Sequence, residues 1–410
     1  MQENDASLRA RAATQRRCTI IACFISQNLA MGLAFGSFGP LLAANQAHLG
    51  VSRAAAAFGM SLVTLTLGLL SPIAGRMLER FRLRESMIFG AIASAAGYLS
   101  LALTDNYLAT MGCYVLVGVG VCICALIGPL TLITRWVEDG RGKVLGLVNL
   151  PVVLFASPFL IAIALPVIGR MGVLMVLGGL FLLLVPVLAA LIHERPAARA
   201  TATVATMDQS PFVEVPLLTS PAFWLLSIGI GIMAGIGVVY VVHLVPFGVG
   251  KGMSLAAASG MLSIYAGAGL LATPLFGWII DRLGHAAALV IAALGLSALS
   301  LAVIAVDGAA LFAVAGLLGL CCTPIPTLHG AAISALFGQN AVARALGYSY
   351  FVKLPFIFGA APAIGAVFDT TKSYDLPFAL CAGAMAVSAA CFAGLWYISR
   401  GVERQRAALA

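Results

Sequence analysis

Charge is scarce in this chain. Only 9% of its 410 residues are Asp, Glu, Lys or Arg, where a soluble domain of this size carries about 25%. Too few polar groups remain to build an aqueous surface, which excludes an ordinary soluble fold. A bilayer tolerates the surplus, because lipid-facing side chains need no polarity. Acid is especially restricted: there are fifteen carboxylates, and none falls inside an apolar run. The loops hold no phosphate-binding glycine loop, no nucleophile with its base and no metal-ligand cluster. An ATP-driven pump or a membrane enzyme therefore lacks its parts, and neither cofactor nor metal is expected. The nine cysteines lie in or beside apolar runs without metal-ligand spacing in a loop, so they read as small hydrophobes. No cleavage signature follows the polar stretch 1–17, and the next apolar run is too long for a signal-peptide core, so it reads as a retained first helix.

Apolar residues make up 61% of the chain. They form twelve runs of about the 20 residues that a spanning helix needs: 18–44, 54–75, 86–103, 107–133, 144–168, 173–192, 223–245, 256–280, 286–306, 309–337, 346–368 and 377–398. None alternates polar with apolar, which excludes barrel strands. The expectation is an all-α membrane protein of twelve transmembrane helices in two halves, 18–192 and 221–399. A linker at 193–220 joins them, with tails at 1–17 and 400–410.

Placing both termini inside puts eighteen Lys and Arg on the inner side and four, Arg53, Arg170, Lys251 and Lys372, outside. Such asymmetry orients a protein of the cell inner (plasma) membrane with cytoplasmic termini. The net charge of +8 then reflects topology and anionic lipid contact. Nucleic acid is a poor partner, because the basic residues sit in short loops at the membrane face.

The halves repeat each other. Pro72-Ile-Ala-Gly75-Arg76-Met-Leu-Glu79-Arg80 is echoed by Pro274-Leu-Phe-Gly277-Trp-Ile-Ile-Asp281-Arg282 at an offset of 202. Leu150-Pro151…Ala156-Ser-Pro158 is echoed by Leu354-Pro355…Ala360-Ala-Pro362 at an offset of 204. Parallel six-helix repeats suggest a rocking carrier, expected as a monomer, with its site between the halves.

On these motifs the chain resembles the major facilitator superfamily. Gly75-Arg-Met-Leu-Glu79-Arg80-Phe-Arg82-Leu-Arg84 follows that superfamily's loop motif with Glu for Asp and Arg82 for the second Gly; Gly277…Asp281-Arg282-Leu-Gly284 follows it more closely. Within the superfamily it resembles the monocarboxylate transporter and oxalate/formate antiporter branch. The tract Arg135-Trp136…Arg141-Gly142…Gly146 and the segment Leu49-Gly50-Val51-Ser52-Arg53 carry that likeness. The resemblance implies alternating access, with Glu79, Arg80, Asp281 and Arg282 gating the cytoplasmic face.

Of the 23 basic residues, Lys353 alone falls within a run. It lies roughly 13 Å along the helix from Arg344 and roughly 24 Å from Asp369 at 1.5 Å per residue. A lysine at such depth costs about 2.5 to 3.5 kcal/mol, and no acid shares its depth. A bound anion is the simplest counter-charge. The bland alternative is a lysine that snorkels to the cytoplasmic face or rests against carbonyls freed by Pro355. Asn149 corresponds to Lys353 in the repeat and is a candidate carboxylate donor; an interhelical hydrogen bond is its alternative. Tyr350, three residues before Lys353, shares its face. His329, Tyr240, Tyr265 and Asn28 are further cavity candidates, each with packing as its alternative. His243 is expected at the outer interface. The resemblance also implies a substrate-binding lysine at this position of the eleventh span. It implies an arginine where this chain has Thr273, and a single cation suits a monoanion better than a dianion. The expected function is secondary transport of a small organic anion, with proton coupling left open. The rivals are an exporter of neutral or anionic drugs and a transport-derived membrane sensor.

Overall fold

The computed structural model describes residues 2–80, 82–137, 141–194, 217–337 and 342–409. Helices dominate: α1 (Gln2–Leu49), α2 (Arg53–Arg80) and α3 (Leu83–Leu103); α4 (Tyr107–Trp136); α5 (Arg141–Val148), α6 (Val152–Leu191) and α7 (Pro221–Gly250); α8 (Leu255–Leu283); α9 (His285–Ala305); α10 (Ala309–Phe337); α11 (Val342–Thr371) and α12 (Asp375–Leu409).

Among the described residues, eleven helical stretches are long and apolar enough to cross a bilayer. One of them, Val144–Leu191, has 48 residues, which as straight helix would measure about 72 Å against a hydrocarbon core of about 30 Å. Gly169, at φ 69° and ψ 175°, divides it. That backbone region is open only to glycine, so the chain turns there. Counted as two passes, the stretch restores the twelve spans expected. α1 starts earlier than the apolar run because 2–31 contains no Gly or Pro and is rich in the strong helix formers Ala and Arg. α4 carries a π turn at Cys122–Ile127, in which Gly128 N–H bonds Ile123 O five residues back. Pro129 follows it and has no N–H of its own to offer.

The chain divides into two compact units: Met1–Leu49 with Leu62–Gln209, and Gly50–Ser61 with Ser210–Ala410. In the first, α1 packs along α6 and α4, and α3 packs against both α4 and α6. Tyr98 stacks on Phe181 with centroids 5.7 Å apart. Just after the Gly169 turn, Arg170 donates to Asn45 Oδ1 (2.7 Å) and Leu101 O (2.9 Å), which ties the turn to α1 and α3. Elsewhere in this unit Trp136 Nε1 donates to His193 O (2.8 Å). Glu194 accepts from Arg84 N (3.0 Å), where a carboxylate meets the positive end of α3.

In the second unit α7 lies against α11, α12 and α8, α9 packs on α12, and α8 packs on α10. The opening turns of α2 belong here. Asp369 accepts from Arg53 N (3.1 Å) and Ala54 N (3.0 Å), capping that helix with a carboxylate distant in sequence. Gly365 allows the approach, since a Cβ there would lie 2.8 Å from Ala54 Cα. The Arg53 guanidinium stands 4.0 Å over Phe368 and donates to the Tyr374 hydroxyl (3.0 Å). That hydroxyl pairs with His243 Nδ1 (3.1 Å), and His243 Nε2 with Ala361 O (2.9 Å). A carbonyl only accepts, so Nε2 carries the proton, and in the neutral ring Nδ1 accepts from Tyr374. Burial pushes the Tyr374 phenol up to about 12, against the pull of Arg53, so the hydroxyl stays protonated and the relay keeps its direction. His243, expected at the outer interface, meets the loop residue Tyr374 and is fully buried. Its partners lie 118 and 131 residues away, beyond the reach of any local pattern.

Candidate substrate site

Lys353 sits in the middle of α11, two residues before Pro355, which removes one N–H from the helix ladder and frees the Phe351 carbonyl. α7 comes close at this level because it presents glycines. A Cβ on Gly231 would lie 2.7 Å from the Phe356 ring and 3.4 Å from Lys353 Cα, and one on Gly235 would lie 2.8 Å from Phe356 O. This close packing leaves Lys353 only 5% exposed, so it neither faces lipid nor snorkels to a surface. Among the described residues its ammonium makes no salt bridge and no hydrogen bond. It stands over the Tyr350 ring, with Nζ 3.5 Å from the centroid.

The magnitudes are informative. Burying the charge costs about 2.5 to 3.5 kcal/mol at mid-membrane, and a desolvated cation–π contact returns about 2 kcal/mol. The balance, and three unused N–H donors, are what an arriving carboxylate can satisfy.

Beside it, α10 breaks around Thr323-Pro324 and resumes with His329 on its buried side. His329 Nε2 lies 2.8 Å from Ser349 Oγ, and its ring meets Tyr350 edge-on at 5.9 Å. Lys353, Tyr350 and His329 are thus brought together, with Ser349 as a fourth member that the sequence did not single out. A serine four residues before a lysine carries no signal of its own; only the position of α10 makes it a partner.

Asn28, Asn149 and Gln27 gather in the other unit. Gln27 Nε2 donates to Asn149 Oδ1 (2.8 Å), and Asn149 Nδ2 donates to Leu145 O (2.8 Å). Asn28 spans the gap between α5 and α6: Nδ2 donates to Val148 O (3.2 Å), and Oδ1 accepts from Val152 N (3.0 Å) and Val153 N (3.3 Å). Its carboxamide is consumed in holding the two helix ends, which makes it a cap rather than a free ligand.

Tyr240 and Tyr265 lie with centroids 6.2 Å apart, both buried in the core of the second unit. The Tyr240 hydroxyl pairs with Ser300 of α9 within that core. Asp281 and Arg282 are exposed at the end of α8, where Arg282 stacks 4.6 Å over Trp278. The side chains of Glu79 and Arg80 lie outside the described residues.

A family model described as Major Facilitator Superfamily matches residues 24–316 and again 252–409. The chain belongs to that superfamily. It is accordingly a multi-pass membrane transporter, of a family whose members are normally not enzymes. Among curated proteins it is 28% identical to an oxalate:formate antiporter of Oxalobacter formigenes over 249 residues, which is 58% of this chain and 57% of that protein's length. It is 25% identical to the MFS-type transporter YcxA of Bacillus subtilis over 346 residues, 80% of this chain and 83% of that protein.

Proposed function

We propose that the protein carries a small organic anion, a monocarboxylate in preference to a dianion, across the inner membrane by alternating access. It works as a monomer with both termini cytoplasmic. The observation that carries the reading is Lys353: a buried ammonium with no counter-ion among the described residues and with its hydrogen-bond donors unused. The relative named as an oxalate:formate antiporter supports anionic cargo in general. The single cation, with Thr273 in place of a second, favours one negative charge over two. Asn149 supplies an amide near the break between α5 and α6 and assists through Gln27; His329 offers a second polar contact beside Lys353. Asp281 and Arg282, with Glu79 and Arg80, gate the cytoplasmic face.

The test is uptake into proteoliposomes of formate, lactate, oxalate and benzoate, with the matching amides as neutral controls. The expected result is carboxylate uptake that falls to the level of empty vesicles in Lys353→Ala, with elution profile and thermal midpoint retained. Unchanged uptake by the variant overturns the role of Lys353. Equal uptake of acids and amides points instead to an exporter-like carrier of neutral cargo.

A further inference from the structure

We infer that Tyr350 is the positioning residue of the anion site: its ring, not its hydroxyl, holds the Lys353 ammonium in place while leaving the charge free for cargo. This inference rests on the anion-carrier reading above.

A buried ammonium can be held in three ways. A carboxylate neutralises it, and cargo must then break an ion pair before binding. Backbone carbonyls consume its N–H donors. An aromatic face attracts the charge through its quadrupole and occupies no hydrogen-bonding position. Lys353 uses the third way, with Nζ 3.5 Å from the ring centroid of the residue one helical turn before it. The charge is retained in the empty carrier, and the donors remain available to an oxyanion.

The ring is itself braced. His329 meets it edge-on at 5.9 Å and 61°. His329 is fixed in turn by Ser349 at 2.8 Å, and both His329 and Ser349 are buried. Tyr350 remains 47% exposed, and among the described residues its hydroxyl makes no hydrogen bond. Removing the hydroxyl alone therefore disturbs no protein contact, which separates ring from hydroxyl cleanly.

The experiment compares Tyr350→Phe, Tyr350→Leu, Tyr350→Met and Lys353→Gln in the full chain, reconstituted and assayed for concentration-dependent uptake of radiolabelled formate and lactate. The expected result is an apparent affinity within about twofold of the parent for Phe. For Leu and Met it is at least about tenfold weaker, with the maximal rate per folded carrier retained. Leu and Met serve as independent ring deletions, so that misfolding of one does not remove the test. A further variant, Tyr350→Glu, places an internal carboxylate beside the ammonium and is expected to abolish uptake as Lys353→Gln does. If Phe loses as much affinity as Leu, the hydroxyl is a substrate contact and the inference is wrong. If Leu and Met bind like the parent, the ring is irrelevant and the inference is equally wrong. Those outcomes leave the anion reading intact so long as Lys353→Gln is inactive. Retained uptake in Lys353→Gln, or no uptake of either anion by the parent, overturns the anion reading itself.

Discussion

The same Leu-Pro step ends in a gap in one unit and in a continuous helix in the other. At Leu150-Pro151 the chain leaves helix between α5 and α6; at Leu354-Pro355 α11 runs on from Val342 to Thr371. The helix packed alongside makes the difference. In the first unit Gly32 of α1 receives Val153, and Asn28, one turn earlier, bonds the broken backbone ends. At an offset of 203 these positions become Gly235 and Gly231 of α7, and both are occupied closely by Phe356. A proline weakens a helix in either unit. A polar side chain on the neighbour stabilises the open form by satisfying the freed groups, whereas glycine offers no such group and favours close packing of the closed form. One repeat thus yields a capped break, and the other an intact helix that carries a buried ammonium.

Replacing Asn28 by Leu should break this contrast most severely. It leaves Val153 N and Val148 O without this partner, at about 1 kcal/mol or more each, while Val152 N keeps its bond to Leu150 O, so a loss of about 2 kcal/mol is expected in detergent unfolding. An unchanged midpoint would remove the capping role. Gly231→Ala comes next. The added methyl meets the Phe356 ring, and overpacking of this kind costs about 1 to 3 kcal/mol. Pairing it with Phe356→Leu should restore part of the loss; strict additivity of the two would show that they do not touch. Lys353→Leu should act in the opposite direction, raising the midpoint by the equivalent of about 1 kcal/mol, the part of the burial cost that the ring does not offset. Uptake should vanish in the same variant, and a fall in stability would mean that the ammonium has a protein partner after all. Asn149→Ala should be mildest, at under about 1 kcal/mol, because its side chain lies at an exposed position and its bonds join side chains and one carbonyl. A loss as large as that of Asn28 would mean that the two share the capping.

Much of the candidate site was legible in residues alone. Lys353 stands out because one lysine in an apolar run is conspicuous against so few charges. Tyr350 follows from a spacing of three on a helix. Asn28 was legible as a costly amide in a span, but not as a cap, since the helix ends it bonds at Val148 and Val152 lie 120 and 124 residues away. Tyr240 and Tyr265 could be named as aromatic and buried; which way they turn depends on α9 and α12, which no local spacing reports. The partners of His243 were hidden for the same reason.

Composition and hydropathy by themselves determined that the chain crosses a bilayer and roughly where each span lies. Insertion depends on a sum over contiguous side chains, and that sum is written locally. The scarcity of acids likewise made a lone lysine legible before any coordinates were known. Tertiary structure alone decided which polar groups meet: Asn28 with the ends of α5 and α6, Ser349 with His329, Asp369 with the start of α2. Each of these bonds depends on angstrom-scale placement between helices distant along the chain, set by glycine contacts and proline breaks whose consequences appear only when the neighbouring helix is in place.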